Sequence, residues 1–277
     1  MNLAEQIRLQ KKYRFTGQLL FETAFRIGSG RAGESGSDLG VLLDPYGVPI
    51  LPGSSLKGKF RSTVERLAYL LHQDACLLDQ KVSQVNCVSD IDYFKKVNDQ
   101  LKHKSCLDRY HWLRGTNGNQ QKQVCDVCWL FGSPLCASRI FFQDGAIAEW
   151  CNAIERRDGV VIDRDSERAV DGLKYDFEVV PAGTTFRIQI EVENPSDIEL
   201  ALIAIGLSEW QEGIRLGGGV SRGLGQARLK ELKITAVDFG NPASCLAYCL
   251  ERKMQEVTPA EWDAKLRKQL QPATATH

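Results

Sequence analysis

The chain has 277 residues, of which 43% are hydrophobic and 25% charged, and its formal net charge is +0 at pH 7. This composition is typical of a globular protein with a sizeable core, in one large domain or two small ones. Because the charges balance, any affinity for nucleic acid must come from a local basic surface. Neither a membrane-spanning apolar run nor a signal-peptide pattern occurs, so we expect a cytoplasmic protein without membrane contact.

The first periodic segment has the alternation of a half-buried strand. Apolar residues occupy alternate positions from Phe15 to Ile27, and we expect the strand to end at Gly28. A glycine-serine loop over residues 28–40 follows and contains Ser37-Asp38. Its start matches a dinucleotide fingerprint, but no amphipathic helix comes next, so we interpret the match as chance. Residues 41–51 then predict a hairpin.

A break at Pro52-Gly53 leads into a basic amphipathic helix whose apolar stripe begins at Leu56 and Phe60. Ser54 or Ser55 is the expected N-cap, which places the first backbone N–H groups beside Lys57 and predicts a phosphate-binding corner. Residues 53–59 have formal P-loop spacing, but Phe60 stands where a magnesium-binding Ser or Thr belongs. A nucleoside-triphosphate site is therefore disfavoured. The plain alternative is a capped helix with solvated lysines.

Nine cysteines in a long chain indicate free thiols or metal ligands rather than a disulfide framework. Five of them lie in a polar insertion over residues 73–130. The pair Cys125-x-x-Cys128 has the spacing of a tetrahedral zinc site. Further ligands could come from Cys76, Cys87, His103, Cys106 or His111, and Cys87 and Cys106 are the preferred partners. Buried free thiols and a redox pair are the alternatives.

The second half of the chain alternates strands with one very apolar helix. A projecting hairpin is expected over 159–179 and a strand over 186–192. The capping box of Ser196 and Glu199 then opens a buried helix. Residues 213–225 hold six glycines interleaved with Arg215, Ser221 and Arg222, which indicates a permissive backbone close to a partner. The chain ends with a strand over 227–234, slightly out of register, a helix over 243–256, and a tail beyond Pro259 that is expected to make one further turn around Trp262 and then fray. This order predicts an α+β, ferredoxin-like core.

Four motifs in this order carry a resemblance to a known family: 51–58 (LPGSSLKG), 130–133 (LFGS), 161–164 (VIDR) and 217–225 (GGGVSRGLG). Together they resemble the RAMP superfamily, in particular the backbone subunit of type III CRISPR effector complexes, over most of residues 15–235. The resemblance implies a single domain over 1–277. Its parts would be a ferredoxin-like (RRM-like) palm (13–72, 131–150 and 180–256), a zinc-containing finger insertion (73–130), a thumb β-hairpin (159–179) and a C-terminal tail (257–277).

The resemblance also implies a function, namely crRNA binding beside other effector subunits and metal-dependent cleavage of complementary target RNA. Asp38 matches the position of the cleaving acidic residue and would hold Mg²⁺ or Mn²⁺. On its residues alone, Asp38 is equally well explained as a turn-stabilising side chain. The implied RNA-binding residues are Ser54, Ser55, Lys57, Arg61, Ser133, Arg164, Gly218, Gly219, Ser221 and Arg222, and the implied zinc ligands are Cys125, Cys128, Cys106 and Cys87. An architectural subunit without catalysis and a phosphate-handling or nucleotide-handling enzyme are the competing hypotheses.

Overall fold

A computed structural model describes residues 8–29, 39–76, 87, 90–115 and 122–270 of this chain. These residues form a mixed α/β fold built on antiparallel sheets. The strands are β1 (Lys11–Phe21), β2 (Ile140–Phe142), β3 (Ala146–Glu149), β4 (Glu155–Ile162), β5 (Ala169–Val179), β6 (Thr185–Glu193), β7 (Ile214–Arg215), β8 (Gln226–Asp238) and β9 (Gln255–Glu256). The helices are α1 (Gly53–Leu67), α2 (Ile91–Leu101), α3 (Cys106–Arg114), α4 (Asp126–Phe131), α5 (Asp197–Glu212), α6 (Pro242–Glu251) and α7 (Pro259–Leu270).

The main sheet has the order β2-β6-β1-β8-β7, with β3 on the outer side of β6 and β9 on β8. β1 lies in the middle because its inward side chains, such as Phe15 and Leu19, are almost wholly buried. β1 was expected to run to Gly28, but it ends at Phe21, after which Phe25 and Gly28 make only isolated bridges, to Val180 and Val41. Within the described residues, no helix is both long and apolar enough to cross a membrane.

Helices α1 and α5 pack against each other and share the main hydrophobic core with the sheet. Gly206 makes the close approach possible, since a Cβ at this position would lie 2.7 Å from the Phe60 ring. The rings of Phe60 and Trp210 meet edge to face at 5.2 Å. The predicted capping box is confirmed, because Ser196 and Glu199 bond each other's backbone N–H groups at the start of α5.

The out-of-register pattern of the last strand is a β-bulge. Glu231 has a φ of 53°, and the pairing of β1 with β8 shifts between Thr16 and Gln18. One extra residue on β8 therefore moves the buried positions from Leu229 to Leu232 and Ile234. Gly17 faces this bulge, where a Cβ would lie 2.9 Å from the Lys230 carbonyl oxygen.

The predictions for the C-terminal region were wrong in two respects. The helix expected over 243–256 ends at Glu251, and the residues expected to fray form the twelve-residue helix α7. Thr258 and Glu261 make a second capping box at its start, which the sequence contained. Trp262 is 8% exposed and packs on Phe15 with ring centroids 5.4 Å apart, so tertiary packing fixes the helix.

Two excursions leave the main sheet. The insertion contains α2, α3 and α4 and has a small hydrophobic core of its own, in which Val97, Leu113 and Val124 surround the buried cysteines. This separate core explains how so polar a segment can fold. The hairpin of β4 and β5 forms a separate two-stranded sheet. It begins at Glu155, four residues before the expected boundary, and much of its surface is exposed.

Candidate nucleic-acid interface and metal centre

Helix α1 begins two or three residues earlier than the sequence predicts, with Pro52 at the N-cap and no side-chain cap. The prediction of Ser54 or Ser55 as N-cap was therefore wrong, and both serines lie in the first turn. The Gly53 N–H donates instead to Asp144 Oδ1 at 2.6 Å. Only glycine fits, because a Cβ would lie 2.5 Å from the Phe142 carbonyl oxygen. A carboxylate of the protein thus already occupies the positive end of the helix.

Lys57 is one of three cations of α1, with Lys59 and Arg66, that make no ion pair with a described carboxylate. The Lys57 Nζ donates to Ser138 Oγ at 2.8 Å. Burial lowers the pKa of the Lys57 ammonium, and the nearby charge of Arg61 lowers it further. An incoming phosphate would relieve both effects, because it supplies the missing negative charge.

Arg61 does not join Lys57 at the same surface. Its Nε donates to Glu65 Oε1 at 2.8 Å, its Nη1 to the Gly132 carbonyl at 3.0 Å and its Nη2 to Cys128 Sγ at 3.0 Å. The helical period correctly places Arg61 one turn after Lys57. The guanidinium is nevertheless fully engaged by the protein, so the expected role in RNA contact has no support from the geometry.

Ser133 belongs to a tight turn beside this region. Its N–H donates to the Cys136 carbonyl at 3.0 Å, and its Oγ accepts from the Leu135 N–H at 3.2 Å. Gly132, which precedes it, has a φ of 88° and contacts the backbone of Ser138. Gly132 and Ser138, on either side of this turn, accept hydrogen bonds from Arg61 and Lys57. These contacts explain why the 130–133 motif accompanies the basic helix.

The glycine loop forms one wall of a cavity of about 300 Å³, here called the glycine-loop cleft. The other walls come from the β4–β5 hairpin and from Arg26. Three arginines and one acid, Asp158, are its charged lining residues, and its lining consists of Arg26, Leu39, Arg157, Asp158, Gly159, Val160, Tyr175, Phe177, Gly218, Gly219, Arg222 and Leu224. The cleft is therefore both cationic and aromatic.

Specific contacts hold the glycine-loop cleft together. The Gly218 N–H donates to the Arg26 carbonyl at 2.8 Å, and a Cβ on Gly217 would lie 2.4 Å from that oxygen. Across the cleft, Arg222 Nη1 donates to the Tyr175 hydroxyl at 2.6 Å. Ser221 is exposed on the loop outside the lining. Arg26 and Tyr175 are lining residues that the sequence analysis missed, because neither stands in a recognisable motif.

Several predicted site residues do not line the glycine-loop cleft, and Arg164 is one of them. Arg164 is in the exposed turn of the hairpin, where Asp163 Oδ1 accepts N–H groups of Asp165 and Ser166. The backbone bond from Ser166 lowers the pKa of the Asp163 carboxyl. Asp38 lies outside the described residues. Its chain neighbour Leu39 lines the cleft, and the Leu39 carbonyl accepts from the Glu178 N–H at 3.0 Å.

Four cysteines of the insertion converge into what we call the cysteine cluster: Cys76, Cys87, Cys125 and Cys128. Their sulfurs lie within 4.8 Å of one another, and those of Cys76 and Cys128 are 3.2 Å apart. In a tetrahedral zinc site with Zn–S bonds of about 2.3 Å, sulfurs are separated by about 3.8 Å. The donor set and its spacing therefore fit a structural zinc ion.

The cysteine cluster changes one member of the expected ligand set. Cys106 is exposed at the first position of α3 and lies outside the cluster, so its prediction as a ligand was wrong. Cys76 takes its place. Both had been candidates, and no local spacing distinguishes them, because the choice depends on the path of the chain between α1 and α4.

A family model described as the RAMP superfamily matches residues 18–228. The chain belongs to the RAMP superfamily. It is 28% identical over 233 residues to the CRISPR system Cms endoribonuclease Csm3 of Streptococcus thermophilus, covering 83% of this chain and 92% of that protein. Proteins of the same name from Methanothermobacter thermautotrophicus and Methanocaldococcus jannaschii are 25% and 26% identical, each over more than four fifths of both chains.

In this RAMP chain, Asp126 is not a member of the cysteine cluster but holds one of its chain segments in place. The sequence analysis missed this role. The residue is 9% exposed, and its Oδ2 accepts from the Asp74 N–H at 3.0 Å and from Lys122 Nζ at 2.7 Å. Arg114 pairs with its other oxygen at 3.4 Å. Because Asp74 lies two residues before Cys76, these bonds bring the first ligand segment to the Cys125–Cys128 turn.

The pKa values of the four thiols in the cysteine cluster are shifted in opposite directions. A hydrogen bond with Cys128 lowers the pKa of the Cys125 thiol to about 7. Bonding with Cys125 lowers the pKa of Cys76 and raises the pKa values of Cys87 and Cys128. Backbone N–H groups of Cys76 and Cys128 point at Cys125 Sγ, each at 3.3 Å. Sulfurs arranged in this way carry negative charge readily when a cation is present.

Proposed function

We propose that this protein is a crRNA-binding backbone subunit of a type III CRISPR interference ribonucleoprotein that also cleaves complementary target RNA with the help of a divalent metal ion. The observation that carries the proposal is the glycine-loop cleft, in which the motif of residues 217–225, the β4–β5 hairpin and Arg26 meet. Family membership and the printed name of the relatives, CRISPR system Cms endoribonuclease Csm3, support both guide binding and cleavage.

The chemistry of the glycine-loop cleft suits single-stranded RNA. Arg26, Arg157 and Arg222 offer guanidinium groups to backbone phosphates, and the close glycine backbone lets a phosphate approach. Tyr175 and Phe177 are stacked with ring centroids 6.1 Å apart and provide an aromatic surface for a base. Contacts of these two kinds, to phosphates and to base faces, suit a subunit that binds guides of any sequence.

The fold supports the same proposal. The strand order β2-β6-β1-β8, with α1 between β1 and β2 and α5 between β6 and β8, is compatible with a ferredoxin-like core. We therefore propose an RRM-like palm in which the insertion acts as fingers and the β4–β5 hairpin as thumb. A ribonucleoprotein of this kind would work in the cytoplasm beside other effector subunits, where all nine cysteines stay reduced.

Two metal ions have different roles in this proposal. Structural zinc would be held by Cys76, Cys87, Cys125 and Cys128, with bonds from Asp126 and backbone groups orienting the ligand segments. For cleavage, Asp38 would hold Mg²⁺ or Mn²⁺, which supplies charge stabilisation to the reacting phosphodiester. Leu39, the chain neighbour of Asp38, lines the glycine-loop cleft, and this supports a cleavage site close to the RNA that the cleft would bind.

The competing enzyme hypothesis finds less support. A nucleotide-handling enzyme would use the N-terminus of α1 for phosphate, but Asp144 already bonds Gly53 N there. Gly58 lies inside the helix rather than in a phosphate-binding loop. The architectural hypothesis differs from our proposal only in catalysis, and relatives named as endoribonucleases favour the catalytic form.

The deciding experiment uses the effector complex assembled on a defined guide. A labelled matched RNA is incubated with complex in Mg²⁺, in Mn²⁺ or in EDTA, and the products are mapped. We expect cleavage with either metal and none in EDTA, and a mismatched RNA serves as control. If the absorbance spectrum of the purified complex showed no nucleic-acid contribution, guide binding would be contradicted. If the matched RNA stayed intact, the architectural hypothesis would be favoured.

A further inference from the structure

Arg61 connects the basic helix to the cysteine cluster. It is the one charged side chain that donates to a cluster sulfur in the part of the chain that the structure describes, and the other described donors are backbone N–H groups and thiols. Its acceptor, Cys128 Sγ, belongs to a side chain with 0% exposure. The guanidinium therefore brings a full positive charge to the most deeply buried sulfur.

The charge of a loaded site explains what this contact does. Four thiolates around one divalent ion carry a net charge of about −2, which is unfavourable inside a protein unless nearby donors compensate. Backbone dipoles supply part of the compensation, and Arg61 at 3.0 Å supplies a cation. A hydrogen bond to a ligand sulfur also lowers the repulsion between the sulfurs.

Two further bonds fix the orientation of the guanidinium. Glu65, one turn later on α1, holds Nε at 2.8 Å, and the Gly132 carbonyl holds Nη1 at 3.0 Å. This fork uses three nitrogens in three directions, which a lysine cannot reproduce. The third nitrogen is thereby aimed at Cys128.

We propose that Arg61 is a positioning residue for the cysteine cluster, which stabilises the metal-loaded state and fastens the cluster to the helix that carries Lys57. This inference rests on the proposed zinc site. It replaces the expectation that Arg61 contacts RNA. Its consequence is that metal binding and the geometry of the basic helix are linked through one side chain.

The test compares Arg61→Gln and Arg61→Lys with the matched control Arg66→Gln, which changes an exposed arginine on the same helix. Zinc content of the purified full-length protein is measured first, and then the rate of zinc transfer to a chromogenic chelator. We expect Arg61→Gln to release zinc about 10-fold faster or more, as for other residues that orient metal ligands. Arg61→Lys should fall in between, and Arg66→Gln should match wild type.

A second measurement separates metal positioning from general stability. Thermal unfolding is recorded for the zinc-loaded and the metal-free forms of each variant. Arg61→Gln should lower the transition of the loaded form by clearly more than that of the metal-free form, because both forms lose the bonds to Glu65 and Gly132 but only the loaded form loses charge compensation at the metal site. Equal shifts in both forms, or an unchanged release rate, would overturn the proposal and leave the zinc site intact. Wild-type protein without zinc would overturn the metal site itself and this inference with it.

Discussion

Asp144 Oδ1 accepts a hydrogen bond from Gly53 N over 2.6 Å, so the first turn of α1 is capped by a carboxylate from the loop between β2 and β3. The cap joins the basic helix to the sheet edge at the point where Gly53 touches Phe142. Phosphate is consequently expected at Lys57 and the glycine-loop cleft rather than on the helix terminus.

Replacing Asp144 by Ala tests this cap. We expect the variant to lose about 1 kcal/mol of unfolding free energy, because a first-turn N–H loses its partner. RNA affinity should hold or rise, since a negative charge leaves the surface near Lys57. Urea denaturation and a filter-binding titration measure the two effects. Asp165→Ala, in the exposed hairpin turn, is the control, and equal stability of both variants would mean that the cap contributes nothing.

Zinc content distinguishes the observed ligand set from the one expected from sequence. Cys76→Ser should abolish stoichiometric zinc, because it removes one of four sulfurs within 4.8 Å of one another. Cys106→Ser should retain about one ion per chain, because that side chain is exposed outside the cysteine cluster. Elemental analysis of protein purified without chelator gives the answer. Retention of zinc by the first variant and loss by the second would restore the original ligand set.

Local sequence patterns predicted much of the fold, but they did not predict contacts between residues that are far apart in the sequence. The apolar stripe of α1 correctly gave Leu56, Phe60 and Val64 as buried, and periodicity even registered the bulge of β8. By contrast, the direction of the Arg61 side chain depends on Cys128 and Gly132, which are far away in sequence. Helical spacing alone could only group this arginine with Lys57.

The same limit applies to the cysteine cluster and to the cleft. Cys76 and Cys106 both precede the pair Cys125–Cys128 in the chain, and the buried Asp126 favours Cys76 by holding the Asp74 backbone. Such a contact leaves no periodic signal. Arg26 likewise enters the glycine-loop cleft because Gly217 and Gly218 approach its carbonyl, a contact made across the fold.

Guide binding should depend on Lys57 and Arg222, measured as separate single Ala variants. Each removes a cation from the proposed RNA path, so each should weaken binding and reduce the slope of log affinity against log salt by about 0.7 to 1. Arg222→Ala also removes the bond to the Tyr175 hydroxyl. Lys268→Ala, exposed on α7, is the control. Unchanged slopes for both variants would argue against this RNA path.

The glycine loop offers a matched pair of substitutions. Gly225 has a φ of 75°, and an added Cβ would lie 2.1 Å from the Leu216 carbonyl oxygen. Gly223 has a φ of 89° with nothing within 4 Å of its added Cβ. Gly223→Ala should therefore cost only backbone strain of about 1 kcal/mol, and Gly225→Ala about 3 kcal/mol or more. Equal losses in urea denaturation would show that the close approach is unimportant.

Cleavage should require Asp38, because it is the proposed ligand of the cleaving metal ion and its chain neighbour Leu39 lines the glycine-loop cleft. Asp38→Ala should keep guide and target binding, since removal of a negative charge slightly reduces repulsion toward phosphate. The metal-dependent rate should collapse, because the proposed ligand of Mg²⁺ or Mn²⁺ is lost. Single-turnover cleavage of a matched target by assembled complexes measures this, with Asp165→Ala as the carboxylate control. Cleavage by the Asp38 variant at the wild-type rate would make this subunit architectural and place the nuclease centre elsewhere in the complex.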